Sequence, residues 1–160
     1  MTQNKQPKQT GGRVPPQHID SEKALLGAIM IRPMAMIDVA DILAAREFYA
    51  DKHRVIYETM VELHKKGDPI DLISLSTRLE DTKQLDRIGG NAYLSELADA
   101  VPSASNAEYY ARIVKSKSIK RELIDIANLI SDLGYAEEKD VEEVLDAAEQ
   151  KIFSVTNTYA

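Results

Sequence analysis

The chain has 160 residues, a formal net charge of −6 and no cysteine. This length fits one domain, or a domain with an appended subdomain, that can bury a sizeable core. The lack of cysteine excludes disulfides and thiolate metal sites. No stretch approaches the roughly 20 apolar residues of a membrane-spanning helix. We therefore expect a cytoplasmic protein that makes no membrane contact.

The charge is distributed unevenly along the chain. Lys5, Lys8 and Arg13 give residues 1–13 a charge of +3, so the remainder carries −9. An acidic body repels phosphate, which predicts weak or no direct binding to nucleic acid. Residues 1–14 are expected to form a disordered leader because their polar composition cannot build a core. Contact between this basic leader and DNA is the alternative.

Residues 15–104 are predicted to form a globular head of short helices. Pro15 and Pro16 force an extended entry, after which apolar residues at helical spacing predict a first helix and a second one beyond Pro33. A third helix is expected over residues 51–66, with Gly67 as its left-handed stop. Asp71 and Asn91 are expected to cap the fourth and fifth helices.

Residues 105–155 predict an antiparallel helical hairpin, and residues 156–160 the start of a linker to an absent C-terminal domain. No proline or glycine interrupts the stretch from Asn106 to Leu133, and an amphipathic return helix follows Gly134. No segment shows the alternation of a strand, so the fold class is predicted to be all-α. The apolar surface of the hairpin is wider than its return helix can cover, which predicts a partner, although folding back onto the head is the alternative. The residues expected at an interface between copies are Ile119, Leu123, Ile126, Val144, Leu145 and Ile152.

The sequence contains no recognisable reaction centre. A phosphate-binding loop of the form GxxxxGK[ST] is absent, since none of the seven glycines is followed by lysine. His53 and His64 lie eleven residues apart on one predicted helix, about 16 Å, too far to share a metal ion. The acids of residues 137–149 are interpreted as a solvated helix face. The basic residues Lys115, Lys117, Lys120 and Arg121 are either a docking surface for an acidic partner or an exposed face.

An ordered series of short motifs carries a resemblance to a known family. It includes the segments RVPPQ (13–17), GDPIDL (67–72), the turn at residues 101–106 and EQKIF (149–153), and it extends over roughly residues 13–155. Together these segments resemble the N-terminal domain of bacterial replicative DNA helicases of the DnaB family. The resemblance implies an assembly domain whose ATP- and Mg²⁺-dependent motor lies in another domain, so we expect no catalytic site and no cofactor in this chain.

The resemblance also implies partners. In this family hairpins pack against hairpins and heads against heads to form a hexameric ring, a trimer of dimers, and the C-terminal helical domain of a DnaG-type primase docks on this domain. The positions that correspond to primase contacts are Asp20, Tyr93, Ile124 and Ile130. A helicase loader is a further candidate partner. The alternatives are a stand-alone nucleic-acid-binding regulator, a self-associating scaffold and an enzyme with an unrecognised helical site.

Overall fold

The computed structural model describes residues 13–159, which form α-helices and short 3₁₀ turns with no strand among them. The helices are α1 (Ile19–Ile31), α2 (Ala35–Ile42), α3 (Asp51–Lys66), α4 (Leu72–Asp81), α5 (Gly90–Ala100), α6 (Ala107–Tyr135) and α7 (Val141–Tyr159). The 3₁₀ turns cover Ala45–Glu47 and Ala104–Asn106. The predicted all-α class is confirmed. The leader prediction lies largely outside the described residues, apart from Arg13 and Val14, which are exposed.

The helix ends of the head mostly follow local sequence signals. Gly67 ends α3 with φ of 73°, a left-handed conformation that glycine adopts without steric cost. The carboxylate of Asp71 accepts a hydrogen bond from the Ser74 N–H at 2.7 Å and so caps α4, as predicted. The cap predicted at Asn91 is wrong: the N-cap of α5 is Gly89, two residues earlier, and the Asn91 side chain instead accepts a hydrogen bond from Ser76.

The core of the head surrounds α1, which packs against α2, α3, α5 and α6. Leu25, Leu26 and Ile29 are fully buried there, as their helical spacing predicted. Gly27 allows α1 to approach α5 closely, because a Cβ at this position would lie 2.1 Å from the Leu97 carbonyl oxygen of α5. The fold therefore requires glycine where α1 crosses α5.

The long helix α6 belongs to two environments. Ala107, Ala111 and Val114 in its first half are part of the head core, so the packing of the head extends past the boundary predicted at residue 105. Its second half forms an antiparallel hairpin with α7, and within the described residues α7 packs extensively against α6 alone. Helix α7 continues to Tyr159, so residues 156–159 are helical where the sequence predicted a linker.

No helix among the described residues is both long enough and apolar enough to span a bilayer.

Candidate interaction surface

A buried polar network joins three helices of the head. The Glu22 side chain, 1% exposed, accepts hydrogen bonds from the N–H groups of Tyr49 (2.7 Å) and Ala50 (3.3 Å). Its Oε1 also lies 2.8 Å from His53 Nδ1, and His53 Nε2 lies 2.5 Å from the Tyr93 hydroxyl. A carboxylate can only accept, so Nδ1 carries the hydrogen towards Glu22 and, in a neutral ring, Nε2 accepts from Tyr93. The network thus ties α1 to the start of α3 and to α5.

This network is a structural link between helices of the head. All of its polar contacts are satisfied within the chain, and Glu22 lies at the N-terminal end of α3, where the helix dipole favours negative charge. Burial, with a smaller effect from nearby Glu96, raises the pKa of Tyr93 to about 12. The Lys52 ammonium lies 3.8 Å from the centre of the Tyr93 ring, a cation–π contact that covers the outer face of the ring.

The sequence did not reveal this network, because its three members lie 31 and 40 residues apart. In the sequence, Glu22 is an acid in the first turn of α1, which the helix dipole favours for local reasons, and His53 is the third residue of α3. His53 does pack, since it is fully buried. No local signal predicted this network, because a histidine in the first turn of an amphipathic, highly charged helix is as compatible with exposure as with burial.

The four residues predicted to contact primase lie in different environments. Asp20 is exposed and lines a small cleft with Pro102 and Tyr110. Tyr93 is 9% exposed and is held in the core by the bond to His53, so it offers little surface to a partner. Ile124 is 47% exposed and lines a larger cavity, whereas Ile130 is half-buried.

The predicted basic patch on α6 is divided by its contacts with the head. Lys115 forms an ion pair with the buried carboxylate of Glu47 at 2.5 Å. Arg121 donates hydrogen bonds to the Pro16 and Glu47 carbonyl oxygens at 2.7 and 2.8 Å. These two residues fasten α6 to the head, and of the four, Lys120 alone is exposed. The interpretation of all four as one exposed face is wrong, because folding brings buried acceptors of the head against two of them.

The apolar stripe of α7 is covered along one edge. Val155 is buried and Val144 is half-buried, whereas Leu145 and Ile152 are 57% and 48% exposed. Positions 144 and 155 lie on one line of the helix, and 145 and 152 lie on the neighbouring line. Phe153, which the sequence analysis did not single out, adds a large exposed side chain. The chain itself therefore leaves an apolar strip of α7 open.

Helix α6, like α7, has apolar positions that the chain covers and others that it leaves exposed. Leu123 and Leu129 are about half exposed, and Ile119 is half-buried. Ile126 is 7% exposed, so its own chain covers most of its side chain, and its place at an interface between copies stays a prediction. The acids of residues 137–149 are all exposed, which confirms their interpretation as a solvated face.

The three histidines lie in different environments and do not form a shared site. His18 caps α1 by accepting a hydrogen bond from the Ser21 N–H at 3.1 Å, His53 is in the core, and His64 is exposed in the last turn of α3. Within residues 13–159 no group of three or more acidic or histidine side chains is arranged to hold a metal ion.

Taken together, these features define an all-α domain with a helical head, a buried polar network and a hairpin whose apolar surface is only partly covered. Residues 14–116 match the model of the family described as DnaB-like helicase N terminal domain. The chain belongs to this family.

Individual relatives agree with the family assignment. The replicative DNA helicase DnaB of Geobacillus stearothermophilus is 44% identical over 144 residues, which cover 90% of this chain and 32% of that protein. The chain thus spans about a third of the length of that relative. The N-terminal domain of DnaB helicase from Mycobacterium tuberculosis superposes with a TM-score of 0.83 at 36% identity, covering 88% of this chain and 99% of that one.

A second solved structure extends the comparison. It is described as a DnaB-like replicative helicase and its interactions with primase, and it matches with a TM-score of 0.73 at 28% identity, over 86% of this chain and 31% of that chain. The chain is therefore similar both to the isolated domain and to that domain within a larger helicase.

Proposed function

We propose that this chain is a non-catalytic domain of a replicative DNA helicase that associates with copies of itself through its hairpin and recruits primase. The observation that carries the proposal is the open apolar strip of α7, where Leu145, Ile152 and Phe153 are each about half exposed or more. Exposed apolar strips of this kind are typical of protein interfaces, since water contact with them is unfavourable.

Self-association is the first part of the proposal. Neighbouring copies would cover the strip of α7 together with Leu123 of α6, which builds the ring that the helicase needs around DNA. Sedimentation velocity over a concentration series from about 1 to 200 µM is the direct test, because this range detects dimers with micromolar to submillimolar dissociation constants. We expect the sedimentation coefficient of the wild type to rise with concentration.

A pair of variants assigns that association to the hairpin. Ile152→Glu places a charge on the open strip of α7, whereas Ile73→Glu places the same charge on α4, where Ile73 is 77% exposed. We expect Ile152→Glu to sediment as a monomer and Ile73→Glu to behave as the wild type. A wild type that stays monomeric at the highest concentration would remove this part of the proposal.

Primase recruitment is the second part, and the related helicase described with primase supports it. Calorimetric titration of the chain with the C-terminal helical domain of primase from the same organism is the test. Ile124 and Leu129 lie on the same helix with nearly equal exposure, 47% and 45%, which makes them matched positions. We expect Ile124→Ala to weaken binding by roughly tenfold, as interface anchors do, and Leu129→Ala to leave it unchanged.

A stand-alone nucleic-acid-binding regulator is the main rival. It predicts DNA binding that falls steeply with salt and no affinity for primase. If one ring contains both the contacts between copies and the contacts with primase, primase binding can rearrange the ring. Such a rearrangement would couple primer synthesis to unwinding.

A further inference from the structure

A cavity of about 680 Å³ opens between the N-terminal segment, the turn before α3 and the middle of α6. Four arginines line it: Arg13, Arg46, Arg54 and Arg121. We call this cavity the arginine cleft. It lies on a chain with a net charge of −6, so it is a local concentration of positive charge on an acidic molecule.

Two of these arginines are held in place by backbone carbonyls. Arg121 donates to the carbonyls of Pro16 and Glu47, and Arg54 donates to those of Phe48 (2.7 Å) and Tyr49 (3.2 Å). Carbonyl acceptors orient a guanidinium without neutralising it. Arg54 also pairs with the exposed carboxylate of Asp51 at 2.8 Å, and the carboxylates of Glu22 and Asp125 act on Arg121. The cleft therefore has rigidly placed cations before any ligand arrives.

The other two arginines are available for a ligand. Arg13 and Arg46 are exposed, and within residues 13–159 neither forms an ion pair. The acids Glu122 and Asp125 also line the cleft, and the carboxylates of Asp51 and Glu22 act on Arg54 and Arg121, so the positive charge left without a partner is that of Arg13 and Arg46. Burial lowers the pKa of Arg121 and the charge of Arg54 acts in the same direction, whereas the nearby carboxylates of Glu22 and Asp125 raise it. An incoming anion would give Arg13 and Arg46 the partner that they lack.

The walls of the cleft decide which anion fits. Val14 and Ile124 are 73% and 47% exposed and border the same space, so part of the wall is apolar. Glu122 and Asp125 line this partly open recess and would repel every phosphate of a continuous backbone, so a polyanion is disfavoured more strongly than a single charge. A single carboxylate beside an apolar side chain matches this mixture, because a guanidinium binds a carboxylate with two parallel hydrogen bonds.

We infer that the arginine cleft receives an aspartate or glutamate of the primase domain, while a neighbouring apolar side chain of primase packs on Ile124. This inference rests on the proposed function and adds the chemistry of the contact. The acidic residue of the partner would form ion pairs with Arg46 and Arg13, beside Arg54 and Arg121, which the backbone carbonyls already orient.

The test uses the full chain and the primase domain, measured by calorimetry at 50 and 300 mM NaCl. Arg46→Glu reverses the charge at a residue with no side-chain hydrogen bond among the described residues, and Arg46→Lys retains the charge. Arg87→Glu is the control, since Arg87 is exposed and does not line the cleft. Circular dichroism checks that every variant keeps the helical content of the wild type.

We expect Arg46→Glu to weaken primase binding at least tenfold at 50 mM NaCl, and Arg46→Lys to weaken it less than threefold. Arg87→Glu should match the wild type. The wild-type affinity should fall between the two salt concentrations, and this dependence should be smaller in Arg46→Glu because one ionic contact is lost.

Three results would overturn the inference in distinguishable ways. If the wild type and Arg46→Glu bind primase with equal affinity, and that affinity does not depend on salt, primase recruitment stands and the ionic contact is refuted. No binding by the wild type removes both the inference and the recruitment it rests on. A parallel titration with a single-stranded oligonucleotide tests whether the cleft binds nucleic acid instead. If Arg46→Glu weakens DNA binding and leaves primase binding unchanged, the cleft is a nucleic-acid site and the inference is refuted.

Discussion

The clearest quantitative prediction concerns the carboxylate of Glu22. Its two oxygens accept from different backbone donors, Oε2 from Tyr49 and Oε1 from Ala50, and Oε1 also faces His53. Glu22→Gln keeps the size of the side chain but leaves a single oxygen. One of the two backbone N–H groups must then face an NH₂ group, and a buried donor without an acceptor costs about 1–3 kcal/mol. The remaining hydrogen bond loses its ionic character, which costs roughly 1 kcal/mol more.

The expected loss is therefore about 2–4 kcal/mol in the free energy of unfolding. Urea unfolding followed by circular dichroism at 222 nm measures it, and the midpoint should fall by about 1–2 M. Runs at two protein concentrations separate this loss from self-association, which stabilises the folded state by mass action.

Glu96→Gln is the matched control. Glu96 also pairs with a basic side chain, Lys23 at 2.8 Å, but it is exposed, so the same substitution should leave the midpoint near that of the wild type. A midpoint for Glu22→Gln that also stays within about 0.3 M of the wild type would refute the reasoning, because the carboxylate would then be solvated rather than bound by the backbone.

Three further predictions test other parts of the fold. Ile126→Asp should destabilise the hairpin by about 3 kcal/mol because it buries an unpaired charge. Leu123→Asp, at a 46% exposed position, should change self-association more than the melting temperature. Equal melting temperatures of the two variants would contradict the burial of Ile126. Gly27→Ala should lower the melting temperature by roughly 5 °C, since its Cβ would collide with a backbone carbonyl of α5, while Gly134→Ala, where nothing lies within 4 Å, should leave it unchanged or slightly raised; a calorimetric scan that ranks them in the opposite order would refute the helix contact. The folded state holds the Tyr93 proton above the ordinary pKa of 10.0, up to about 12, so stability is complete below pH 10 and falls as pH rises towards 12; denaturation midpoints at pH 8, 10 and 11 should fall less steeply in Tyr93→Phe, and parallel slopes would show that the hydroxyl is not buried.

Much of the helical architecture followed from local chemistry. The end of α3 at Gly67 and the start of α4 at Asp71 were predicted correctly because a left-handed glycine and a capping carboxylate act within a few residues of the chain. The cap at Asn91 was wrong for the converse reason. The Gly89-Gly90 turn begins α5 earlier, which leaves Asn91 free to bond with Ser76 of α4, a neighbour that local sequence cannot supply.

The candidate sites depended on the fold to a greater degree. Exposure of Ile124 and burial of Ile126 are both compatible with the same apolar sequence, and the packing of α7 against α6 decides between them. The positions given by the family resemblance, such as Tyr93, keep their status as predictions. The position of Tyr93 in the core could not be derived from the sequence, since it depends on contact with His53.

By itself, the sequence determined the helix class, most of the helix boundaries, the apolar stripes and the family, because these depend on periodicity, caps and ordered motifs along the chain. The tertiary structure alone decided that Glu22, His53 and Tyr93 form one network, that Lys115 and Arg121 fasten α6 to the head, and that four arginines share one cleft. The physical reason is distance along the chain: these partners are separated by tens of residues, and only the packing of α1, α3, α5 and α6 around a common core brings their charges together.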